Sequence, residues 1–260
     1  MRDAGEAERI TMASRAAIIT TLVVAFHMIP SPDPLHAGDQ GYRTFRPQGA
    51  GRHPAVIFVS GCDGLAPPLA PTVYERRAEH LRTQGYVVIF LDYLGRRGLK
   101  TCAGAISHAD AARDLTPATA WLKSQAEVDP TRIAAIGWSY GGRVVLEALV
   151  RPLEPATSLS RAVVFYPDCR ALDVRKLPVP LLMLLGGDDD MTRAAPCQEA
   201  VTRAGASTPV KIVTYPGALH AFDVAELPQR MKYGFATIGH DPAAAAAARD
   251  EVDRFLKTAR

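Results

Sequence analysis

The sequence predicts a single α/β domain, with a mostly parallel central sheet and helices on both faces. Three observations carry that prediction. Short apolar runs alternate with helix-length amphipathic segments, the pattern of repeated βα units. Runs such as Tyr86–Asp92 (YVVIFLD) are apolar at nearly every position, as in strands covered on both faces. The length of 260 residues suits one such domain, and 48% hydrophobic with 22% charged residues is ordinary for a chain with a sizeable core.

Taken in order, Gly41–Phe45 reads as a short edge strand. Ala55–Ser60 (AVIFVS) is a compact strand that ends in the turn Gly61-Cys62-Asp63-Gly64, and the proline-rich stretch Leu65–Thr72 is loop. Tyr74–Gln84 is a helix with Ala78 and Leu81 on one face and Gly85 as its stop. The strand Tyr86–Asp92 leads into a loop, Tyr93–Ala105, that holds Arg96, Arg97 and Cys102. Ser107 or Asp110 caps a helix expected to run to about Ala126, with Pro117 as a kink. Asp129-Pro130 punctuates before the strand Arg132–Gly137 and the helix Gly141–Val150. Strands follow at Ala162–Tyr166, Val179–Leu185 and Val210–Tyr215, with a helix over Thr192–Ala204. Pro216–Ile238 is expected as a long loop, and Pro242–Lys257 as a closing helix that turns Val252, Phe255 and Leu256 inward.

The chemistry concentrates at Gly137-Trp138-Ser139-Tyr140-Gly141, between the fourth strand and its helix. G-x-S-x-G at a strand–helix turn is the nucleophile elbow of α/β-hydrolases. The turn lifts the Ser139 hydroxyl clear of the sheet, and glycines on either side let strand and helix approach. The helix that starts there aims N–H groups at a developing oxyanion. The competing reading is a glycine-rich turn with an inert serine. A nucleophilic serine needs a base, and the base an orienting acid. Of seven histidines, only His220 lies just beyond a strand, where catalytic groups gather in parallel sheets. The acid is expected after an intermediate strand: Asp188, Asp189 or Asp190 after Gly186-Gly187, with Asp168 as rival. One of the three is engaged, and its neighbours turn to solvent or cap the next helix. The oxyanion donors expected are the N–H of Tyr140 and that of Cys62.

Net charge is +3, with no basic cluster and no internal repeat, so neither nucleic acid nor an anionic membrane is indicated as partner. The N-terminus stands apart. Arg2, Arg9 and Arg15 precede the apolar run Ala16–Ile29, which Pro30 ends, and a polar, turn-rich stretch follows. This is the composition of a secretory leader, expected over residues 1–37, with the domain over 38–260. Met12 is an alternative start. An N-terminal membrane anchor or a buried helix is the competing reading. Loops at one end of a parallel sheet lie close together, so Cys62–Cys102 and Cys169–Cys197 is the expected pairing of the four cysteines. Such bridges fit export to the periplasm or beyond, and four free thiols in a cytoplasmic chain is the alternative.

Together these residues resemble the dienelactone hydrolase family from about Ala55 onward. The resemblance rests on VSGCDGL (Val59–Leu65), GYVVIFLDYLGRRG (Gly85–Gly98), VDPTRIAAIGWSYGG (Val128–Gly142), LLGGDDDMT (Leu184–Thr192) and YPGALHAFD (Tyr215–Asp223). It implies the α/β-hydrolase fold and selects Asp189 as the acid, three residues after Gly186. The family's lactone-hydrolysing enzymes use a cysteine nucleophile, so Ser139 implies the serine-type branch. The expected function is hydrolysis of a small ester or lactone through Ser139, His220 and Asp189, with no cofactor or metal. A peptidase on this scaffold, or a silent binding protein, is the alternative. Ser60, Met191 and Arg193 depart from residues common in the family and leave the substrate open. Arg96, Arg97 and Arg143 are candidates to bind a substrate carboxylate; Arg143 equally reads as a solvent-facing helix residue.

Overall fold

Along the apolar runs, successive side chains point to opposite faces, so a strand with no polar positions must be covered twice. The computed structural model, which describes residues 41–65, 70–150, 159–175, 177–204 and 210–258, is built that way. The strands of the main sheet are β1 (Arg43–Phe45), β2 (His53–Val59), β3 (Val87–Leu91), β4 (Val128–Trp138), β5 (Arg161–Phe165), β6 (Leu181–Gly186) and β7 (Val210–Tyr215). They form a seven-stranded sheet in the order β1-β3-β2-β4-β5-β6-β7. Only β1 runs antiparallel, at the edge beside β3. Ala55, Ile57 and Val59 of β2 face one layer, made by α2 (His108–Ala112), α3 (Leu115–Ser124), α4 (Tyr140–Val150) and α5 (Ala194–Ala204). Val56 and Phe58 face the other, made by α1 (Ala70–Thr83) and α6 (Pro242–Lys257).

The chain order of the strands reverses at β2 and β4, and loops leaving such a pair diverge to open a crevice at the carboxyl ends. Ser139 sits at that crevice. Helix ends are set by local chemistry. Asp241 caps α6, accepting from the N–H groups of Ala243 and Ala244, with Pro242 in the first turn. Ser107 caps α2 by accepting from the Asp110 N–H at 3.1 Å.

Besides shifted ends (β4 takes in Asp129-Pro130, and α1 begins at Ala70), two elements differ in kind from the sequence reading. The helix expected from Ser107 to Ala126 is two helices, interrupted at Arg113 and Asp114. Pro117 stands in the first turn of α3, where its missing N–H costs nothing, rather than at a kink. The expected loop Pro216–Ile238 contains a hairpin, β8 (Met231–Tyr233) and β9 (Ala236–Ile238). The leader expected over residues 1–37 lies outside the described residues. Among the described residues, no helix is long and apolar enough to cross a membrane.

Candidate active site

The elbow is as tight as its glycines allow. A Cβ on Gly137 would lie 2.3 Å from the Gly141 carbonyl oxygen, and one on Gly141 would lie 2.2 Å from that of Val59. Ser139 takes a left-handed φ of 51°, unusual for a residue with a side chain, and its N–H donates to the Phe165 carbonyl at 2.9 Å. The strain is held by sheet and helix on both sides, and it leaves Oγ projecting into the crevice.

His220 reaches the site from the loop after β7. Its Nε2 is 2.9 Å from Ser139 Oγ, and its Nδ1 is 2.7 Å from Asp189 Oδ2. Both side chains are buried, at 6% and 0% exposure. Every lone-pair direction of the Asp189 carboxylate is occupied. Oδ1 accepts from the N–H groups of Met191 (2.9 Å) and Thr192 (2.8 Å), and Oδ2 also accepts from the Thr192 hydroxyl (2.9 Å). A buried carboxylate so bonded is held in one orientation. Asp188 is exposed. Asp190 accepts from the Thr237 N–H of β9 at 2.8 Å, and that bond holds its carboxyl below the usual range. It therefore ties the hairpin and does not cap the helix. Asp168 pairs with Arg170 at 2.7 Å and is not part of the His220 cluster.

Three further side chains join the site that the motif did not indicate. Thr192 Oγ1 lies 3.0 Å from His220 Nδ1 and 2.9 Å from the Tyr166 carbonyl oxygen, so it braces the ring nitrogen beside Asp189. Tyr74, on α1, accepts the Gly61 N–H at 2.9 Å. Its buried hydroxyl is pushed up to about 12, so it stays protonated at any ordinary pH. Asp223 gathers the walls: it accepts from Trp138 Nε1 (3.0 Å), the Tyr166 hydroxyl (2.6 Å) and Arg77 (2.5 Å). Burial, then the Asp223 charge, pushes the Tyr166 hydroxyl well up.

Gly61 lies against the elbow: a Cβ there would be 3.7 Å from both Ser139 Cβ and the Tyr74 hydroxyl. The next residue is Cys62. Among the described residues, the N–H groups of Cys62 and Tyr140 have no acceptor within the chain. The Tyr140 side chain points away, its hydroxyl donating to the Ile106 carbonyl and its ring stacked on His108 at 4.1 Å. Cys62 is bridged to Cys102 and Cys169 to Cys197, both at the carboxyl end of the sheet. The candidate arginines are engaged elsewhere. Arg97 grips Asp114 at 2.5 and 2.9 Å and donates to the Tyr93 carbonyl. Arg143 pairs with Glu147 and donates to the carbonyls of Asp168 and Arg170. The Arg96 guanidinium lies over the Tyr42 ring at 4.4 Å. Among the described residues, no three His, Cys, Asp or Glu side chains gather into a metal-binding group.

A cavity of about 270 Å³ opens over Ser139 and His220, walled by the Gly61–Gly64 turn, Tyr74, Trp138, Tyr166 and the β8–β9 hairpin. With the elbow, the ordered side chains and the sheet in view, the family model for dienelactone hydrolases matches residues 41–260. The chain belongs to the dienelactone hydrolase family. That family comprises hydrolases acting on ester bonds. Among curated relatives, an uncharacterised Mycobacterium tuberculosis protein is 32% identical over 189 residues, which cover 65% of this chain and 64% of that protein. A probable dipeptidyl-aminopeptidase B of Aspergillus oryzae is 35% identical over 94 residues, 34% of this chain and 10% of the peptidase. Among solved structures, a putative dienelactone hydrolase from Klebsiella pneumoniae superposes with a TM-score of 0.67 at 20% identity, covering 82% of this chain and 91% of its own. Propionate-bound esterase 2 of Thermogutta terrifontis superposes with a TM-score of 0.60 at 20% identity, covering 83% and 88%. At these identities the two structures speak for the fold.

Proposed function

We propose that this dienelactone hydrolase family member is a serine hydrolase that cleaves carboxylic ester or lactone bonds through an acyl-enzyme. The observation that carries the reading is the hydrogen-bonded series Ser139 Oγ, His220 Nε2 (2.9 Å), His220 Nδ1, Asp189 Oδ2 (2.7 Å). Ser139 Oγ attacks the carbonyl carbon as its proton passes to His220 Nε2. Asp189, accepting from Nδ1–H, fixes the tautomer and stabilises the imidazolium. The carbonyl oxygen, now negative, takes the N–H groups of Cys62 and Tyr140. His220 then protonates the leaving alkoxide, the tetrahedral intermediate collapses, and a water deprotonated by the same nitrogen deacylates Ser139.

Turnover of p-nitrophenyl acetate and butyrate, with loss of turnover in Ser139→Ala, is the expected result. Activity that survives in Ser139→Ala would overturn the reading. Thermogutta esterase 2 has been solved phosphorylated by paraoxon; we expect the same reagent to label Ser139 stoichiometrically here, and failure to label favours a silent binding protein. The partial match to dipeptidyl-aminopeptidases supports a peptidase as second reading. Cleavage of short proline-containing peptides faster than esters would put that reading first. The two disulfides and the composition of residues 1–37 support export, with cleavage near Ala37. N-terminal sequencing of the mature protein tests it, and an intact N-terminus at Met1 or Met12 speaks against it.

A further inference from the structure

The cavity over Ser139 is small, about 270 Å³, where ligand pockets usually run from roughly 300 to 1,000 Å³. Most of its wall is apolar: Val73, Met191, Val224, Leu227, Met231 and Ile238. Among the described residues that line it there is no lysine or arginine, and Arg97 and Arg143, the cations best placed in sequence to serve it, are held by Asp114 and by Glu147. Among the described residues that line it, the one carboxylate is Asp63, one residue beyond Cys62.

Asp63 also closes the mouth. The Tyr233 hydroxyl, on the hairpin strand β8, donates to the Asp63 carboxylate, with oxygens at 3.0 and 2.9 Å. This contact straps the hairpin to the turn that supplies an oxyanion donor. Lys232, next to Tyr233, is turned to Thr237 Oγ1 at 3.2 Å. An acyl group entering beside Ser139 therefore passes apolar walls and one negative charge.

We infer, on the ester-hydrolase reading above, that the site takes small esters with an uncharged, apolar acyl group, and that Asp63 turns away acyl groups ending in a carboxylate. The physical basis is a like-charge contact at an exposed carboxylate of the cavity wall, with no lysine or arginine among the described lining residues to offset it. This reverses the role expected of Arg97 and Arg143.

The test compares kcat/KM for p-nitrophenyl butyrate and for the mono-p-nitrophenyl ester of glutaric acid, each normalised to its uncatalysed hydrolysis. The wild type should favour the neutral ester by about fivefold or more, the factor that like charges about 4 Å apart give at the dielectric of water. Asp63→Asn keeps an acceptor for Tyr233 and removes the charge, so the preference should shrink by about that factor. Tyr233→Phe breaks the strap and keeps the charge, so the preference should persist. Equal or faster turnover of the glutarate ester by wild type overturns the inference and leaves the ester-hydrolase reading intact. An unchanged ratio in Asp63→Asn removes Asp63 from the role. No turnover of either ester, with Ser139 unlabelled by paraoxon, overturns the functional reading itself and the inference with it.

Discussion

Asp189 accepts four hydrogen bonds and His220 Nδ1 is the donor of one of them. Asp189→Asn can keep the two backbone contacts through its remaining oxygen, but its amide then faces Nδ1 as a second donor. The imidazole must take the other tautomer, with its proton aimed at Ser139. kcat should fall by about 10⁴-fold with little change in melting temperature, as loss of the tautomer-fixing acid does in the serine protease triad. Tyr74→Phe leaves the Gly61 N–H without its partner and loosens the turn that presents Cys62. A buried donor stripped of its acceptor costs about 1–3 kcal/mol. We expect kcat to drop about tenfold while KM moves little; a variant that only melts earlier, at full kcat, would make Tyr74 structural. Ser139 and His220 were legible because glycine spacing and a strand end fix each locally. Tyr74 was not, because it arrives from a helix whose sequence pattern reports only packing. Thr192 carried a faint signal: a hydroxyl residue three positions after an aspartate is the spacing at which both can share a turn.

Among elements, the β8–β9 hairpin is the one the sequence hid. Each strand is three residues long and β8 is exposed, so no alternation develops. The clue was Gly234-Phe235, a two-residue turn with Gly234 at φ 59°. The hairpin is pinned by Tyr233 on Asp63, by the Thr237 N–H on Asp190 and by the bridge of Ile238 to His220. Since the Thr237 bond lowers the Asp190 pKa in the folded state, its contribution is complete above the ordinary value of 3.8 and is lost as pH falls below it. Wild type should therefore melt above Asp190→Asn at pH 6, and the gap should narrow as pH falls below 3.8. A gap constant across that range would show that the carboxylate does not act through ionisation. The helices flanking Arg113 and Asp114 were misread as one because Pro117 drew the expected break three residues late. Asp114 is instead engaged by Arg97, a partner far off in sequence.

At the scale of the whole molecule, the alternation of apolar runs and helices was enough to read the sheet, because strands covered on both faces cannot hide polar residues. The disulfide pairing followed from the same topology. Cys62–Cys102 and Cys169–Cys197 span 40 and 28 residues, and bridges of that span stabilise by roughly 2–4 kcal/mol each. Their consequences should separate. Replacing Cys62 and Cys102 by serine should lower both melting temperature and kcat, since the Cys62 N–H is the proposed oxyanion donor. Replacing Cys169 and Cys197 should lower mainly the melting temperature. Equal losses of kcat in both would argue against a special place for the Cys62 turn. The wall of the site holds one more resource. Trp138 is one of two tryptophans, donates its indole N–H to Asp223 and lies under the Arg77 guanidinium at 4.9 Å, while lining the cavity beside Ser139. Trp121, by contrast, packs on Tyr42 in the opposite layer. With Trp121→Phe, the remaining tryptophan emission comes from a single fluorophore set between two opposite charges, next to the proposed nucleophile. Formation and decay of the proposed acyl-enzyme should then be visible as a fluorescence transient, without any chromogenic leaving group.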